Sequence, residues 1–211
     1  MGGSERKHPA TLGLVLAGGR ARRMGGAEKG RIDIGGATIL DRALARLRPQ
    51  CDRLIINARD PARFAETGVP VVADSLPDYA GPLAGILAGL DWAAEHAAEI
   101  AWVVSTPSDC PFLPHDLVAR LHQARAEVDA RLACARSAQR WHPVVALWPV
   151  NLREDLRRAL ADGVSKVMEW TARYTVGIAD WPAVPVDPFF NVNTPEQAAE
   201  ALRLAARYPD A

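Results

Sequence analysis

Residues 12–29 read LGLVLAGGRARRMGGAEK, an apolar run that passes directly into a segment rich in glycine and arginine. A continuous apolar run such as residues 12–17 is typical of a strand that is buried on both faces of a parallel sheet. Open α/β sheets bind their ligands at the carboxyl ends of such strands. The glycine-rich segment is therefore predicted to lie at the ligand-binding edge of a sheet.

Residues 16–29 have the composition of an anion-binding loop. Their glycines let backbone N–H groups approach an anion closely. Triphosphate binding is the natural interpretation, and a basic surface turn that only connects a strand to a helix is the alternative. The glycine spacing is neither that of a Walker A loop nor that of a dinucleotide-binding loop. Positive charge comes from four side chains, Arg20, Arg22, Arg23 and Lys29.

Lysine is scarce in this chain, with only Lys7, Lys29 and Lys166 among 25 basic residues. A compact ammonium can sit between phosphate oxygens as a point charge where a planar guanidinium would not fit. Lys29 is therefore the predicted phosphate contact of the loop.

Strand patterns alternate with helix patterns up to residue 126. Helices are predicted from Thr38, a plausible N-cap, to Pro49, and from residue 82 onward; strands are predicted at residues 54–56, 69–73 and 101–104. The alternation predicts an α/β fold of the Rossmann-like kind, with a mainly parallel sheet and helices on both faces. The second half is less regular, and we expect it to add an antiparallel edge. Its predicted elements are a strand at 143–148 and helices at 152–161 and 195–206.

Composition limits the classes of function. The 211 residues are 49% hydrophobic and carry zero net charge, which argues against disorder and against steering onto nucleic acid or an anionic membrane. We expect one domain over residues 12–208 behind a flexible tail at 1–11, and a cytoplasmic protein without a membrane span. The three cysteines and five histidines are scattered, so neither disulfides nor a transition-metal site is predicted.

Five motifs in order then point to a known family. They are the loop at residues 16–29 and the segments at 74–85, 109–114, 142–148 and 191–196. Together they resemble nucleotidyltransferases of the molybdenum cofactor guanylyltransferase family, also called molybdopterin-guanine dinucleotide synthases. Glu28 stands where the family usually has aspartate, which keeps the charge.

The resemblance implies transfer of GMP from GTP onto the terminal phosphate of molybdopterin, with release of pyrophosphate. Such a reaction needs in-line positioning, neutralisation of the triphosphate charge and a hard divalent cation, here Mg²⁺. The implied partners are GTP and molybdopterin, with transient contacts to molybdoenzyme-maturation proteins. We expect a monomer that binds no nucleic acid.

The resemblance also implies roles for residues. Lys29 and Asp109 would be catalytic, with Asp109 holding the metal, and the nucleotide would also contact Leu16, Ala17, Gly18, Asn57 and Asp74. Further candidates are Gly19, Arg23, Gly81, Gly85, His142, Asn191 and Asn193.

Several of these residues also have an ordinary structural interpretation. Asp109 follows a buried strand, but it could be an N-cap or a turn residue. Asn191 and Asn193 would share one face of a strand and could bind the pterin or complete the metal site, whereas Asn193 or Thr194 could instead cap the following helix. His142 could contact the molybdopterin phosphate or be structural.

Other functions remain as alternatives. A molybdopterin cytidylyltransferase or a sugar-phosphate nucleotidyltransferase would share the first loop in a related form. Gly18 favours guanylyl transfer, because cytidylyl relatives usually carry alanine at that position. A noncatalytic module that binds a nucleotide or delivers molybdopterin is the alternative from another class.

Overall fold

The computed structural model describes residues 8–18, 29–76 and 81–210, with only the backbone described at Lys29. Its core is a seven-stranded sheet with the strand order β3-β2-β1-β4-β6-β5-β7. The strands are β1 Thr11–Leu16, β2 Arg53–Asn57, β3 Val71–Val72, β4 Trp102–Pro107, β5 Leu132–Ser137, β6 Arg140–Pro149 and β7 Val176–Trp181.

The sheet is mixed and mainly parallel, as the sequence predicts. β1 pairs in parallel with β2 and β4, β2 with β3, and β5 with β7. The antiparallel strand β6 pairs with both β4 and β5, so it lies inside the sheet and not at the predicted edge. The edge position is taken by β7, which the sequence analysis missed and which adds in parallel outside β5.

Helices cover both faces, which confirms the predicted layers. One face packs against α1 Ile39–Leu47 and α3 Leu117–Glu127. The other packs against α2 Pro82–His96, α4 Arg153–Ala161 and α5 Val167–Thr171. A third, smaller cluster of buried side chains lies under α6 Pro195–Arg207. Within the described ranges, no helix combines the length and hydrophobicity needed to cross a membrane.

The N-terminus of α1 shows how local sequence sets an element. The side chain of Thr38 accepts a hydrogen bond from the backbone N–H of Asp41, and the Asp41 carboxylate accepts from the backbone N–H of Thr38. This reciprocal arrangement satisfies two donors that the first helical turn leaves without intrahelical partners. The predicted N-cap is therefore confirmed.

β5 and β6 form a hairpin whose turn the sequence did not indicate. The two turn residues, Ala138 and Gln139, have positive φ angles of 45° and 62°. Such turns usually contain Asn-Gly or Asp-Gly, because residues with a Cβ are strained at positive φ. Pairing of the two strands inside the sheet holds the turn in this conformation despite its sequence.

The amino edge of the sheet, opposite the predicted ligand edge, holds a buried histidine. The Thr11 hydroxyl donates to the carbonyl of Pro9 at 2.8 Å, and its oxygen lies 2.9 Å from Nε2 of His122. The His122 ring stacks on His8 and meets Trp102 edge-on, each at 5.4 Å between centroids. The predicted tail is thus ordered from residue 8: Thr11 belongs to β1, and His8 and Pro9 contact the side chains at its start. Residues 1–7 lie outside the described part.

Burial lowers the pKa of His122 to about 3, and the nearby His8 and Arg125 lower it further. The folded protein therefore resists protonation of this ring. In the unfolded chain the same ring takes up a proton near its ordinary pKa of about 6.5.

We predict that His122→Gln makes stability less sensitive to acid. Because the folded pKa lies below the unfolded one, His122 favours unfolding as the pH falls from about 6.5 towards 3, and it has no such effect above pH 7. Between pH 7 and pH 5 the wild type should lose about 2 kcal/mol more unfolding free energy than the variant. Urea unfolding at both pH values measures this difference.

His115→Gln, the same substitution at an exposed position, is the matched control. Equal losses in wild type and His122→Gln would contradict the assignment.

Candidate active site

The carboxyl end of β1 lies between two other strand ends. Leu16 pairs with Asn57 of β2 on one side and with Pro107 of β4 on the other. Beyond the strand, the Ala17 N–H donates to the Asn57 carbonyl at 2.9 Å, and the Ser108 N–H donates to the Leu16 carbonyl at 3.1 Å. These bonds fix the backbone where the predicted nucleotide-binding loop begins.

The Asn57 amide links two predicted nucleotide-site residues. Its side chain is buried, and its NH₂ group donates to the Asp74 carboxylate at 2.9 Å and to the Val72 carbonyl at 3.3 Å. With both amide hydrogens used in this way, the Oδ1 oxygen is the group that remains as an acceptor. The predicted pair of Asn57 and Asp74 is thus brought together by the structure.

Gly85 allows α2 to lie against Asn57. A Cβ atom at Gly85 would stand 2.4 Å from Oδ1 of Asn57 and 2.7 Å from Cδ2 of Leu16. A Cβ at Gly18 would come within 3.8 Å of the same oxygen. Asn57 Oδ1 therefore lies between these two glycines, and the close approach explains why glycine occurs within a helix here.

The N-terminal turn of α2 points to the same edge. Gly81, its N-cap, has a φ of 122°, a conformation that favours glycine, and Pro82 opens the helix. The first turn leaves backbone N–H groups without intrahelical acceptors, and the helix dipole makes this end partly positive. The turn thus offers donors beside Asn57.

The described chain resumes at this edge with Lys29, after the glycine-rich segment. Its predicted residues Gly19 and Arg23 lie outside the described residues, as does the Lys29 side chain. The backbone of Lys29 begins a short 3₁₀ helix, Lys29–Arg31. A Cβ at Gly30 would lie 3.5 Å from the carbonyl oxygen of Ser108, so this segment sits directly beside the end of β4.

Asp109 occupies the turn after β4 and is half-buried. It does not cap the next helix, because Asp116 is the residue that precedes α3. Its carbonyl accepts a hydrogen bond from the N–H of Val192 at 2.9 Å. The bond holds the segment between β7 and α6 against the end of β4.

Asn191 and Asn193 flank Val192, whose N–H binds the Asp109 carbonyl. The structure therefore brings both asparagines close to the turn that contains Asp109. The segment is not a strand, contrary to the predicted strand-like pairing of the two amides. Thr194 is the residue that caps α6, because its side chain accepts a hydrogen bond from the Gln197 N–H. The Asn193 N–H donates to the Gln197 side chain at 2.7 Å, so its backbone, too, supports the start of α6.

Asp109 is a carboxylate that could contribute to a Mg²⁺ site. In the part of the chain that the structure describes, no three His, Cys, Asp or Glu side chains cluster in a way that could hold an ion. The three cysteines are buried free thiols. Mg²⁺ is typically held by one or two carboxylates with the remaining positions filled by substrate phosphates and water, so a carboxylate such as Asp109 fits this mode.

His142 belongs to a hydrogen-bonded group that we call the His142 cluster, made of Ser137, His142, Asp187 and Phe189. The Ser137 hydroxyl lies 2.8 Å from Nε2 of His142 and donates to the Asp187 carboxylate, also at 2.8 Å. The Phe189 N–H donates to the same carboxylate at 3.0 Å, and the Phe189 ring packs on the imidazole with 4.7 Å between centroids.

Electrostatic effects on His142 oppose one another. Burial lowers the pKa of His142 below its usual value, the Asp187 carboxylate raises it, and Arg140 lowers it. The imidazole is therefore neutral above neutral pH and lies close to a charge that can stabilise its protonated form.

Cys110 connects the His142 cluster to Asp109. Its thiol lies 4.0 Å from the Asp109 carboxylate and 3.8 Å from the Phe189 carbonyl. Burial raises the pKa of Cys110 well above its usual value, and the Asp109 and Asp187 carboxylates raise it further. Sequence analysis missed Ser137 and Asp187, because neither lies in a motif or beside a predicted strand end.

Comparison with known proteins identifies similar chains. The sequence model of the MobA-like NTP transferase domain matches residues 13–176. A molybdenum cofactor guanylyltransferase of Nitrobacter hamburgensis is 58% identical over 200 residues, covering 94% of this chain and 96% of that protein.

Solved structures show the same fold at low identity. Molybdopterin-guanine dinucleotide biosynthesis protein A from Archaeoglobus fulgidus aligns with a TM-score of 0.72 at 21% identity, over 93% of this chain and 99% of that one. The 4-diphosphocytidyl-2C-methyl-D-erythritol synthase from Anaerococcus prevotii also gives a TM-score of 0.72, at 12% identity and over 94% and 97% of the two chains.

We predict that Gly85→Ala destabilises the protein through Asn57. Overpacking of this kind should lower the free energy of unfolding by about 1–3 kcal/mol. In an Asn57→Ala background the same change should cost less, because the oxygen 2.4 Å from the new Cβ is gone and alanine favours helix over glycine by roughly 1 kcal/mol. Urea unfolding of the four proteins gives the coupling energy, and equal costs in both backgrounds would refute the contact.

Proposed function

The chain belongs to the MobA-like NTP transferase family, and on that basis we propose that it is a molybdenum cofactor guanylyltransferase. The proposed reaction transfers GMP from GTP to the terminal phosphate of molybdopterin. The identity to the Nitrobacter relative, which spans nearly the full length of both chains, carries the proposal.

The reaction exchanges one phosphate bond for another. A terminal phosphate oxygen of molybdopterin attacks the α-phosphorus of GTP, and the bond to the bridging oxygen of the β-phosphate breaks. Pyrophosphate leaves with that bonding pair, and the products are the guanine dinucleotide form of the cofactor and pyrophosphate. Catalysis of such a transfer rests on positioning and charge neutralisation, not on covalent participation of the protein.

The nucleotide is proposed to bind at the end of β1. Leu16, Ala17 and Gly18 would contact it through backbone and van der Waals interactions, and Lys29 would contact its phosphates. The Asn57 oxygen supports guanine recognition, because it is an acceptor held in place by two hydrogen bonds from its own amide group. Guanine carries an N–H donor at N1, where adenine has an acceptor nitrogen, so an acceptor that faces this position discriminates between the two purines.

Mg²⁺ is the proposed cofactor, with Asp109 as its carboxylate ligand. When bound, the ion would neutralise charge on the phosphates that gather at the end of β4. Asp109 is held for this role by the backbone bond between its carbonyl and Val192, which fixes the turn.

The acceptor is proposed to lie on the β6 side of Asp109, near Asn191, Asn193 and His142. These residues reach the edge from β6 and from the segment before α6. We further propose that the enzyme acts as a cytoplasmic monomer, organised as a single domain over residues 12–208, that meets molybdoenzyme-maturation proteins transiently.

We predict that the purified protein, supplied with Mg²⁺ and molybdopterin, releases pyrophosphate with GTP and poorly with ATP, CTP or UTP. The physical reason is that a base which leaves the buried Asn57 acceptor unpaired loses about 1–3 kcal/mol of binding. Pyrophosphate release with each of the four nucleotides measures the preference. Preference for CTP would assign a cytidylyltransferase, and tight GTP binding without pyrophosphate release would assign a noncatalytic module.

We predict that Asp109→Asn keeps the fold but slows turnover at limiting Mg²⁺ by at least about tenfold. A neutral amide oxygen binds a hard cation less strongly than a carboxylate does, and tenfold corresponds to ~1.4 kcal/mol. Turnover is measured against Mg²⁺ concentration, and thermal unfolding checks the fold. Asp162→Asn at the exposed end of α4 is the matched control, and undiminished activity of folded Asp109→Asn would exclude Asp109 from the metal site.

A further inference from the structure

The His142 cluster has only one consistent assignment of its protons at neutral pH. The Asp187 carboxylate is an acceptor only, so the single hydroxyl proton of Ser137 goes to Asp187. The Ser137 oxygen must then accept from His142, which places a hydrogen on Nε2. Because Nε2 is committed to Ser137, any contact between this ring and a substrate must be made by Nδ1.

Contacts through Cys110 and Phe189 link this ring to Asp109. The Cys110 thiol lies 4.0 Å from the Asp109 carboxylate and 3.8 Å from the Phe189 carbonyl. The Phe189 ring packs on the imidazole of His142, with 4.7 Å between centroids. The His142 cluster therefore adjoins the turn that carries Asp109.

The surroundings of His142 restrict how the ring can move. Ser137 is fully buried, and Phe189 packs on one face of the imidazole while its own N–H holds Asp187. The groups that act electrostatically on the ring are Asp187 and Arg140. A ring fixed by one nitrogen and packed on one face presents the other nitrogen in a defined direction.

We propose that Ser137 and Asp187 are positioning residues that hold Nδ1 of His142 toward the phosphate of the acceptor substrate. This inference rests on the proposed function. A phosphomonoester loses its second proton near pH 6, so it reaches the site partly protonated. That proton passes from the phosphate oxygen to Nδ1, and the imidazolium stays paired with the dianion whose oxygen attacks the α-phosphorus. Through Ser137, the negative charge of Asp187 stabilises the imidazolium.

The first experiment determines which nitrogen of the His142 ring is protonated, without measuring turnover. Long-range ¹H–¹⁵N NMR at pH 7.5 shows which nitrogen of a histidine carries the proton, and His142→Gln identifies the signal. The expected result is a hydrogen on Nε2 and a shift of the Nδ1 resonance when molybdopterin is added. A hydrogen on Nδ1 in the free protein, or no response of His142 to molybdopterin, would overturn the proposal.

The second experiment tests whether Ser137 acts through His142. His142→Gln should raise KM for molybdopterin roughly 10- to 100-fold, the factor for one charge-assisted hydrogen bond. Ser137→Ala should raise it about 2- to 10-fold, and the double variant should be no worse than His142→Gln alone. KM for GTP should stay within about twofold throughout, and Ser165→Ala on the exposed segment before α5 is the matched control.

The remaining outcomes distinguish a failure of the positioning role from a failure of the proposed transferase function. Additive effects in the double variant, or a rise in KM for GTP instead of molybdopterin, would overturn the positioning role. A His142 signal that responds to molybdopterin in a protein that releases no pyrophosphate would remove the proposed transferase function and leave the phosphate contact standing.

Discussion

The candidate site depends on the parallel pairing of β1 with β2 on one side and with β4 on the other. The backbone hydrogen bonds of this pairing set Leu16 opposite both Asn57 and Pro107. Parallel strands end at the same edge, so three segments that are far apart in sequence leave the sheet at one place. A shift of the β2 register by one residue would turn the Asn57 side chain to the other face, away from Asp74 and Gly85.

Burial of Asn57 then constrains its surroundings. A buried amide is costly unless it is hydrogen-bonded, and Asp74 and Val72 accept its hydrogens. The remaining oxygen needs a neighbour without a side chain, which Gly85 provides inside α2. The position of the Asn57 oxygen thus explains why α2 contains a glycine, a residue that lowers helix stability.

The proposed acceptor half of the site depends on a strand that runs the other way. An antiparallel strand begins at the edge where its parallel neighbours end, so β6 starts at the edge where β4 ends. His142 reaches the site by this route, and the loop after β7 brings Asp187 to it from a different direction. The two halves of the proposed site therefore come from the two different kinds of strand pairing in a single sheet.

The sequence by itself determined the first half of the fold and the strand-end positions of Asn57, Asp74 and Asp109. It could do so because apolar runs and helix caps are local signals. It did not determine β5, β7 or the place of β6 inside the sheet. The turn at Ala138 and Gln139 carries no hairpin signal, and its positive φ angles are held by pairing within the sheet.

The link between Ser137, His142 and Asp187 was also decided only by the tertiary structure. It joins residues up to 50 positions apart, so no spacing in the chain could indicate it. Local sequence sets where strands begin and end, whereas hydrogen bonds between distant side chains form only after the sheet has brought those side chains together.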